Sequence, residues 1–477
     1  MPVEGAGAGD GPTGGAGNPL SLIKPEEVVF ISKQSQNPNL YEIHSLKEDT
    51  EEQGTSYKLS QVQTADVPQS LLDRFLVDKV PEHLQSGPSR HIHVVVSTGS
   101  GTSLALNFYN SALRPLLESL GLSASEASAE PNTYSLIITQ NAESIRDFAR
   151  SLGHTNQDGS KDSVQHTIVL LSGDGGVIEI LNGKAPADSS DTKPQLPLIA
   201  VLPLGTGNAL FHSLHKSVEA PAGTQTPSSL AQALRTLFTG KAAPLPSFKA
   251  EFPPGSRTIT YTSSGKTGAD SVTDLEGHAD AVSHLYGAIV ASYGFHSQLV
   301  WESDTPEYRK HGAKRFGMVA QQLLKESHAY KATVELAGND GSHFQRLDRD
   351  RHAYILATMV SNLEKTFTIS PSSRPFDGKL RLVHFGAVNG EKTMEIMMKA
   401  YDGGKHVDMQ WTGEDGKEER VGYEETREVK ITTLEEDSRW RKVCIDGTIV
   451  ELPNGGCMTV RTEDKPHLQV LVDRSAA

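Results

Sequence analysis

The sequence predicts an α/β protein, in which an N-terminal parallel-sheet domain is followed by a mainly β domain arranged as a sandwich. Three observations support this. At 477 residues the chain is too long for a single hydrophobic core. Between residues 88 and 215, short apolar runs alternate with helical patterns, as in parallel sheets covered by helices on both faces. After residue 215 alternating β-type runs dominate, which is typical of a sandwich.

Changes in composition divide the chain into four segments. Residues 1–24 are rich in Gly and Ala and are predicted to be a disordered tail. Residues 25–87 carry short β-like runs and end near a Ser-Gly-Pro turn, which predicts a β-rich appendage. Residues 88–215 hold the parallel-sheet domain. Residues 216–477 hold the β domain, with Pro-, Gly- and Ser-rich insertions that we expect to be mobile.

Charge and cysteine content exclude several classes of protein. A formal net charge of −14 argues against general nucleic-acid binding. The two cysteines, Cys444 and Cys457, predict neither a disulfide framework nor a thiolate metal site, and a reducing compartment fits best. No apolar run approaches the roughly 20 residues that span a bilayer, and Pro2 excludes N-myristoylation. Any membrane contact is therefore expected to be peripheral.

Three glycine-rich turns follow three of the predicted strands. They occupy residues 97–102, 172–176 and 203–210, and each leads from a strand into a helical pattern. Backbone N–H groups in such turns, and at the helix starts behind them, suit an anion and above all a phosphate. Ligands of parallel α/β sheets bind at the carboxyl ends of the strands, so the three turns are predicted to meet at one site.

The turns differ in how specifically they indicate chemistry. In the first, Gly99 and Gly101 suit either a phosphate loop or a simple tight turn, and Leu104 replaces the third glycine of the dinucleotide fingerprint. In the second, Asp174 lies among three glycines, where a carboxylate can accept a proton from an attacking hydroxyl group or help to hold Mg²⁺. An ordinary Asp-Gly turn is the alternative there. In the third, Asn208 can cap the following helix, and a plain turn with a cap is the alternative.

The second and third turns belong to a longer pattern. It consists of Ser172-Gly173-Asp174-Gly175, then Glu179 and Asn182-Gly183, then Pro203-Leu204-Gly205-Thr206-Gly207-Asn208-Ala209. In order and separation these segments resemble the catalytic domain shared by diacylglycerol kinases, sphingosine kinases and ceramide kinases. The resemblance covers roughly residues 91–472, densely to residue 216.

In the second half the resemblance leans toward sphingosine kinases. The segments that follow the order of that family are Tyr293-Gly294-Phe295, Glu302-Ser303, Tyr308-Arg309 and Lys314-Arg315-Phe316. Asp446-Gly447-Thr448 stands where the family has Asp-Gly-Glu.

The resemblance implies an ATP-dependent lipid kinase, in which the parallel-sheet domain binds the nucleotide and the β domain binds the lipid. Asp174 would be the general base for the lipid hydroxyl group. Together with Asp174, the substrate-binding residues would be Ser172, Gly173 and Gly175. The residues that would hold ATP are Ser97, Thr98, Gly99, Thr139, Gln140, Asn141, Ala142, Glu143, Glu179, Gly205, Thr206, Gly207, Arg309, Arg315 and Asp446. Mg²⁺ would arrive with ATP, and no protein ligand is assigned to it.

Departures from the family pattern leave the identity of the lipid acceptor undecided. Residues 97–98 are Ser-Thr where the family usually has Asn-Pro, and Thr448 removes a carboxylate. No Asp aligns after the Gly-Phe pair to meet the amine of a sphingoid base, and Glu302 or Asp304 could replace it only if the loop shifts. A sphingoid base, a ceramide and a diacylglycerol therefore all remain acceptors to test.

Two readings compete with a lipid kinase. One is a catalytically inactive regulator that binds lipid or nucleotide, and the other is a kinase for a soluble substrate that resembles NAD kinases. A lipid kinase of this kind is expected in the cytoplasm, in transient peripheral contact with intracellular membranes.

Overall fold

The structure is a computed structural model that describes residues 23–34, 37, 39–51, 54–101, 103–126, 130–152, 164–183, 195–216, 226–261, 276–338, 343–413 and 416–474. The predicted tail, residues 1–24, lies almost entirely outside this part of the chain, and the predicted mobile insertions are covered only in part. None of the described helices combines the length and the apolar character needed to cross a membrane.

The described strands up to residue 251 are β1 (Val28–Lys33), β2 (Tyr41–Glu51), β3 (Gly54–Thr64), β4 (Arg90–Val96), β5 (Ser123–Ala124), β6 (Thr133–Ile138), β7 (Gln165–Ser172), β8 (Leu198–Pro203), β9 (Lys241–Leu245) and β10 (Phe248–Glu251). The helices of the same part are α1 (Gln69–Phe75), α2 (Ala105–Phe108), which continues through a π-turn at Tyr109–Leu113 into α3 (Arg114–Ser119), α4 (Ser144–Ser151), α5 (Asp174–Gly183), α6 (Ala209–Leu214) and α7 (Ser229–Thr239), with a short 3₁₀ turn at Glu82–Leu84.

The remaining described strands are β11 (Arg257–Tyr261), β12 (Glu276–Ala281), β13 (His284–Gly287), β14 (Val290–Gly294), β15 (Tyr330–Ala337), β16 (Phe344–Arg346), β17 (Arg351–Thr358), β18 (Leu380–Gly386), β19 (Gln410–Thr412), β20 (Glu418–Arg420), β21 (Gly422–Thr426), β22 (Glu428–Thr433), β23 (Lys442–Ile445), β24 (Thr448–Glu451), β25 (Cys457–Thr462) and β26 (Leu468–Val472). The helices are α8 (Phe295–Ser303), α9 (Pro306–Arg309), α10 (Lys314–Glu326) and α11 (Gly390–Tyr401), with 3₁₀ turns at Lys405–Asp408 and Ser438–Trp440.

A parallel sheet organises the first domain. Its strand order is β5-β6-β4-β7-β8-β26-β9, and every neighbouring pair is parallel except β26 with β9. Val95 and Ile168 pack with the apolar face of α4 and α5, whereas Val94 and Val169 pack with α2, α3 and α7. The strands are apolar on both sides because helices cover both faces of the sheet. The predicted parallel α/β architecture is confirmed.

The segment before this sheet forms a small antiparallel sheet of its own, in the order β1-β2-β3. It packs on the parallel-sheet domain, since the Phe30 and Phe238 rings lie 4.6 Å apart and the Tyr57 and Phe108 rings lie 4.9 Å apart. Arg235 of α7 donates from Nε to the carbonyl oxygen of Val28 at 2.5 Å. This segment adds no strand to either of the larger described sheets.

The second region is mainly β, as predicted. Most of its described strands form one continuous antiparallel network with the main order β12-β11-β24-β23-β14-β17-β15-β22-β25-β10-β13, to which β16, β18 and β21 also pair, while β19 and β20 form a separate two-stranded sheet. The network has two halves, which join where β15 pairs with β17 over only two residue pairs. The layering of these halves as a sandwich stays a prediction.

The domain boundary predicted at residue 215 falls within the part of the chain that builds the parallel-sheet domain. Helix α7 and strand β9 follow residue 215 and belong to the parallel-sheet domain, and β26 returns to it from the end of the chain. Strand β26 fits there because it is apolar and inserts beside β8, where Leu468, Val470 and Val472 become almost fully buried.

Candidate active site

The three glycine-rich turns meet at one edge of the parallel sheet. Strands β4, β7 and β8 are parallel neighbours, so their carboxyl ends point the same way. A Cβ atom placed on Gly101 would lie 2.4 Å from the carbonyl oxygen of Leu204, and one on Gly205 would lie 2.3 Å from the Cα atom of Gly173. The turns are therefore in direct backbone contact, which only glycine permits at these positions. The predicted convergence is observed.

The first turn is tied to the turn that follows β6. Thr98 donates two hydrogen bonds to Thr139, one from its N–H to Thr139 Oγ1 at 2.9 Å and one from its Oγ1 to the Thr139 carbonyl oxygen at 2.9 Å. Ser100 Oγ donates to Ser97 Oγ at 2.7 Å and lies 3.0 Å from Ser172 Oγ. Serine and threonine hydroxyl groups thus join three of the segments that were predicted to bind ATP and substrate.

Two glycines at this edge border open space. Among the described residues, no atom would lie within 4 Å of a Cβ atom placed on Gly99 or on Gly175. Their backbones are therefore accessible to a ligand, while Gly101, Gly173 and Gly205 hold the turns together. This division of roles fits a phosphate-binding cradle.

Asp174 caps a neighbouring helix. Its Oδ2 accepts the N–H of Ala209 at 2.7 Å, and its Oδ1 accepts the N–H of Leu210 at 3.0 Å. These are the first two N–H groups of α6, which lack partners inside that helix. Burial raises the pKa of the Asp174 carboxyl group, and the two N–H donors oppose this by stabilising the charged form. Each oxygen keeps a second lone pair, so the carboxylate can still accept a proton.

Asn208 does not cap α6 with its side chain, in contrast to the sequence-based expectation. Its backbone has a left-handed conformation, φ +54°. Its side chain turns back, accepts the Gly205 N–H at 3.0 Å and donates to the Gly205 carbonyl oxygen at 3.0 Å. Asn208 therefore holds the shape of the Gly205-Thr206-Gly207 turn, and the capping role passes to Asp174.

The turn after β6 has an ordered backbone. The N–H groups of Gln140 and Asn141 both donate to Ser144 Oγ, at 3.0 and 3.1 Å, and the Glu143 N–H donates to Asn141 Oδ1 at 3.0 Å. This serine at the start of α4 shapes the segment from Thr139 to Glu143 that was predicted to contact ATP.

Glu179 pairs with an arginine that sequence reasoning missed. Arg146 donates from Nε to Glu179 Oε2 at 2.6 Å and from Nη2 to Oε1 at 3.0 Å. Arg146 also lies 3.6 Å from Glu143. Burial raises the pKa of Glu179, and the Arg146 charge opposes the rise. The one sequence signal for Arg146 was its position three residues after Glu143 on a helix.

Arg309 and Arg315 lie in the second region, where both face Asp304. Arg309 forms a bidentate pair with it, at 2.9 Å from Nε and 2.5 Å from Nη2, while Arg315 lies 3.7 Å away. The predicted contact of these two arginines with nucleotide phosphates stays a prediction.

Asp446 occupies the turn between β23 and β24. Both Asp446 and Gly447 have positive φ angles, +47° and +96°, as a two-residue hairpin turn requires. The carboxylate points inward and accepts the N–H groups of Ala288 at 2.6 Å, Ile289 at 3.1 Å and Val290 at 2.5 Å. It thereby fixes the link between β13 and β14. Its predicted contact with the nucleotide stays a prediction.

Asp446 should make stability depend on pH. Burial raises its pKa from 3.8 to about 7, helped by the charge of Asp174 and opposed by the three N–H donors. The folded state therefore binds this proton more tightly than the unfolded state does. The resulting contribution to the free energy of unfolding is fully present below pH 3.8 and is lost as the pH rises through about 7. The variant Asp446→Asn does not titrate at this position. Its free energy of unfolding, compared with that of wild type, should therefore rise from about pH 5 to about pH 8. Urea unfolding at both pH values measures this, and a constant difference between the two proteins would contradict the raised pKa.

The described residues do not fit a protein-held metal ion. No three His, Cys, Asp or Glu side chains in this part of the chain are grouped so that they could hold one.

The chain is similar to known proteins over the segment that contains these turns. Residues 91–248 match the family model of the diacylglycerol kinase catalytic domain, so the predicted resemblance is confirmed over this segment. Sphingosine kinase 1 of Arabidopsis thaliana is 28% identical over 145 residues, which are 30% of this chain and 26% of that protein. Sphingosine kinase 1 of Homo sapiens is 31% identical over 122 residues, 26% of this chain and 27% of that protein. The matched segment thus spans about a quarter of each relative's length.

A solved structure is also similar. The crystal structure of a diacylglycerol kinase from Bacillus anthracis str. Sterne aligns with a TM-score of 0.45 at 13% identity, over 81% of this chain and 98% of that one.

Proposed function

From the diacylglycerol kinase catalytic domain at residues 91–248, we propose that this protein is an ATP-dependent lipid kinase. One observation carries the proposal: three glycine-rich turns touch one another around Asp174 at the carboxyl edge of the parallel sheet. The sphingosine kinase relatives support a lipid as the acceptor. For a lipid substrate, we propose that the enzyme is cytoplasmic and makes transient peripheral contact with intracellular membranes.

In the proposed reaction the parallel-sheet domain positions the donor. Backbone N–H groups near Gly99, Gly175 and the Gly205-Thr206-Gly207 turn would hold the ATP phosphates, since such N–H groups bind anions without a side chain. The Thr98–Thr139 pair and the Arg146–Glu179 pair would fix the shape of the adjoining nucleotide site. Donors that are fixed before the substrate binds stabilise charge that develops in the transition state.

Asp174 would accept the proton of the acceptor. The lipid hydroxyl oxygen forms a bond to the γ-phosphorus, the bond from that phosphorus to the ADP oxygen breaks, and the hydroxyl proton moves to an Asp174 oxygen. The raised pKa of Asp174 makes it a better base than an exposed Asp. When bound, Mg²⁺ would neutralise phosphate charge, held mainly by the phosphates and water.

The structure bears on which lipid is accepted. Both carboxylates that could meet a cationic head group are already paired: Asp304 with Arg309, and Glu302 with Arg439 at 2.9 Å. An amine would have to displace an arginine to bind either of them, which costs the existing ion pair. We therefore propose that an uncharged head group, as in ceramide or diacylglycerol, is preferred over a sphingoid base.

The acceptor test uses purified protein, γ-labelled ATP, Mg²⁺ and mixed micelles that contain sphingosine, ceramide or diacylglycerol. We expect label in a lipid, with ceramide or diacylglycerol labelled at least about tenfold faster than sphingosine, a difference of about 1.4 kcal/mol. Faster labelling of sphingosine would contradict the preference for an uncharged head group and leave the kinase proposal intact.

The same assay separates the alternatives when NAD is added as a further acceptor and ATP binding is measured alongside. Tight ATP binding without label in any lipid would favour a catalytically inactive regulator. Label in NAD and in no lipid would favour a kinase for a soluble substrate.

A further inference from the structure

Asn182 joins the two domains through a pair of hydrogen bonds. It lies in the last turn of α5, donates from Nδ2 to the carbonyl oxygen of Tyr286 at 2.8 Å and accepts the Tyr286 N–H on Oδ1 at 2.8 Å. Its Nδ2 also donates to the carbonyl oxygen of Ile178 at 3.0 Å. Both N–H groups of the side-chain amide and one lone pair of its oxygen are thus used, and the amide pairs with a peptide group as a neighbouring strand would.

Tyr286 lies on a strand that has a free edge. Strand β13 ends the order of the described antiparallel network and pairs with β10 on one side only, Tyr286 opposite Lys249. An edge strand leaves peptide groups without sheet partners. Asn182 satisfies both outward groups of Tyr286, so the edge of the second region is attached to a helix of the first.

The attached segment leads directly to the Asp446 turn. A Cβ atom on Gly287 would lie 2.3 Å from the Phe248 ring and 2.9 Å from Asp446 Oδ2, and the next three N–H groups bind the Asp446 carboxylate. The segment from Tyr286 to Val290 is therefore held tightly, and it cannot move relative to α5 without breaking the Asn182 pair.

Asp174 lies at the other end of the same helix. Asn182 follows Asp174 by eight positions along α5, a rigid span of about 12 Å. The helix that Asp174 caps is attached to the second region in a similar way: Ser213 Oγ donates to the carbonyl oxygen of Asn362 at 3.1 Å and accepts the Asn362 N–H at 3.0 Å. Asp174 thus lies between two helices that are each attached to the second region by paired hydrogen bonds.

We propose that Asn182 is a positioning residue for phosphoryl transfer: its pair with Tyr286 sets the placement of the second region relative to Asp174. The inference rests on the proposed lipid kinase function, with the acceptor bound by the second region. The glycine-rich turns proposed to bind the ATP phosphates all lie in the first domain. Asn182 should therefore affect transfer to the lipid far more than nucleotide binding, to which the second region would add only the predicted contacts of Arg309, Arg315 and Asp446.

The test compares Asn182→Ala and Asn182→Asp with wild type. The Ala variant loses all three hydrogen bonds of the side chain, whereas the Asp variant can still accept the Tyr286 N–H and loses the two bonds that Asn182 donates. We expect kcat for lipid phosphorylation to fall about 10- to 100-fold in the Ala variant and less in the Asp variant, because displacements of about 1 Å can cost this much. The Kd for ATP and the slow lipid-independent hydrolysis of ATP should change much less, by no more than about twofold, since the glycine-rich turns proposed to bind the phosphates lie in the first domain.

Asn110→Ala is the matched control. Asn110 is exposed and donates only locally, to the carbonyl oxygen of Leu106 at 3.0 Å, so this variant should keep wild-type kcat. Unchanged kcat in both Asn182 variants would overturn the inference, as would a parallel loss of kcat, ATP binding and thermal stability. A wild-type protein that phosphorylates no lipid would instead contradict the proposed function.

Discussion

Asp174→Asn should lower kcat for lipid phosphorylation by about 10²- to 10⁴-fold, the usual contribution of a general base. The side chain keeps its size but loses the basic oxygen that would accept the hydroxyl proton. Steady-state transfer of label from ATP to lipid measures the change. Turnover within threefold of wild type would show that Asp174 is not the base.

The same substitution also disturbs a helix cap, so its effect on folding has to be measured separately. The amide oxygen can accept one of the two N–H groups of Ala209 and Leu210, but the amide NH₂ group then faces the other. A donor left without a partner costs about 1–3 kcal/mol of stability. Urea unfolding and ATP binding report this cost. Asp147→Asn is the control, because Asp147 is exposed on α4, where its carboxylate pairs with Arg150 at 3.0 Å.

Gly205→Ala should disrupt the nucleotide site. The added Cβ atom would lie 2.3 Å from the Cα atom of Gly173 and 2.8 Å from Asn208 Oδ1, so backbone has to move in two turns at once. Overpacking of this kind costs about 1–3 kcal/mol. We expect at least about a tenfold loss of ATP affinity, which corresponds to about 1.4 kcal/mol, together with a lower Tm.

Gly317→Ala provides the matched control. Gly317 lies inside α10, and no described atom would lie within 4 Å of an added Cβ atom. Alanine in a helix interior is favoured over glycine by about 0.5–1 kcal/mol, so this variant should be as stable as wild type or more so. Calorimetry measures the Kd for ATP of both variants and of wild type. Equal Kd values for Gly205→Ala and wild type would refute the contact between the turns.

Much of the site could be predicted because its signals are local. Each glycine-rich turn directly follows an apolar run, and parallel strands bring such turns to one edge, so the meeting of Gly101, Gly173 and Gly205 followed from the order of the elements. The position of Asp174 within its turn was equally local. The capping role of Asp174 could not be predicted from local sequence, because Ala209 and Leu210 follow it by 35 and 36 residues. A capping rule reads only the few residues before a helix and therefore pointed to Asn208.

The parts that sequence reasoning missed depend on contacts between distant segments. Strand β26 is a short apolar run, and nothing within it distinguishes the β8 edge of the parallel sheet from an edge of the antiparallel network. The Asn182–Tyr286 pair spans 104 residues, and Asn182 sits in a helical pattern where an exposed polar side chain is ordinary. Arg146 was missed for the same reason, since its partner Glu179 lies on another helix.

The most direct test of the lipid kinase proposal compares ATP labelled at the γ-phosphate with ATP labelled at the α-phosphate. Purified protein is incubated with each nucleotide, Mg²⁺ and ceramide or diacylglycerol in mixed micelles, and the organic phase is counted. We predict label in the lipid from γ-labelled ATP, none from α-labelled ATP, and ADP formed in equal amount. No label in the organic phase from γ-labelled ATP, with ATP bound to the protein, would contradict the account.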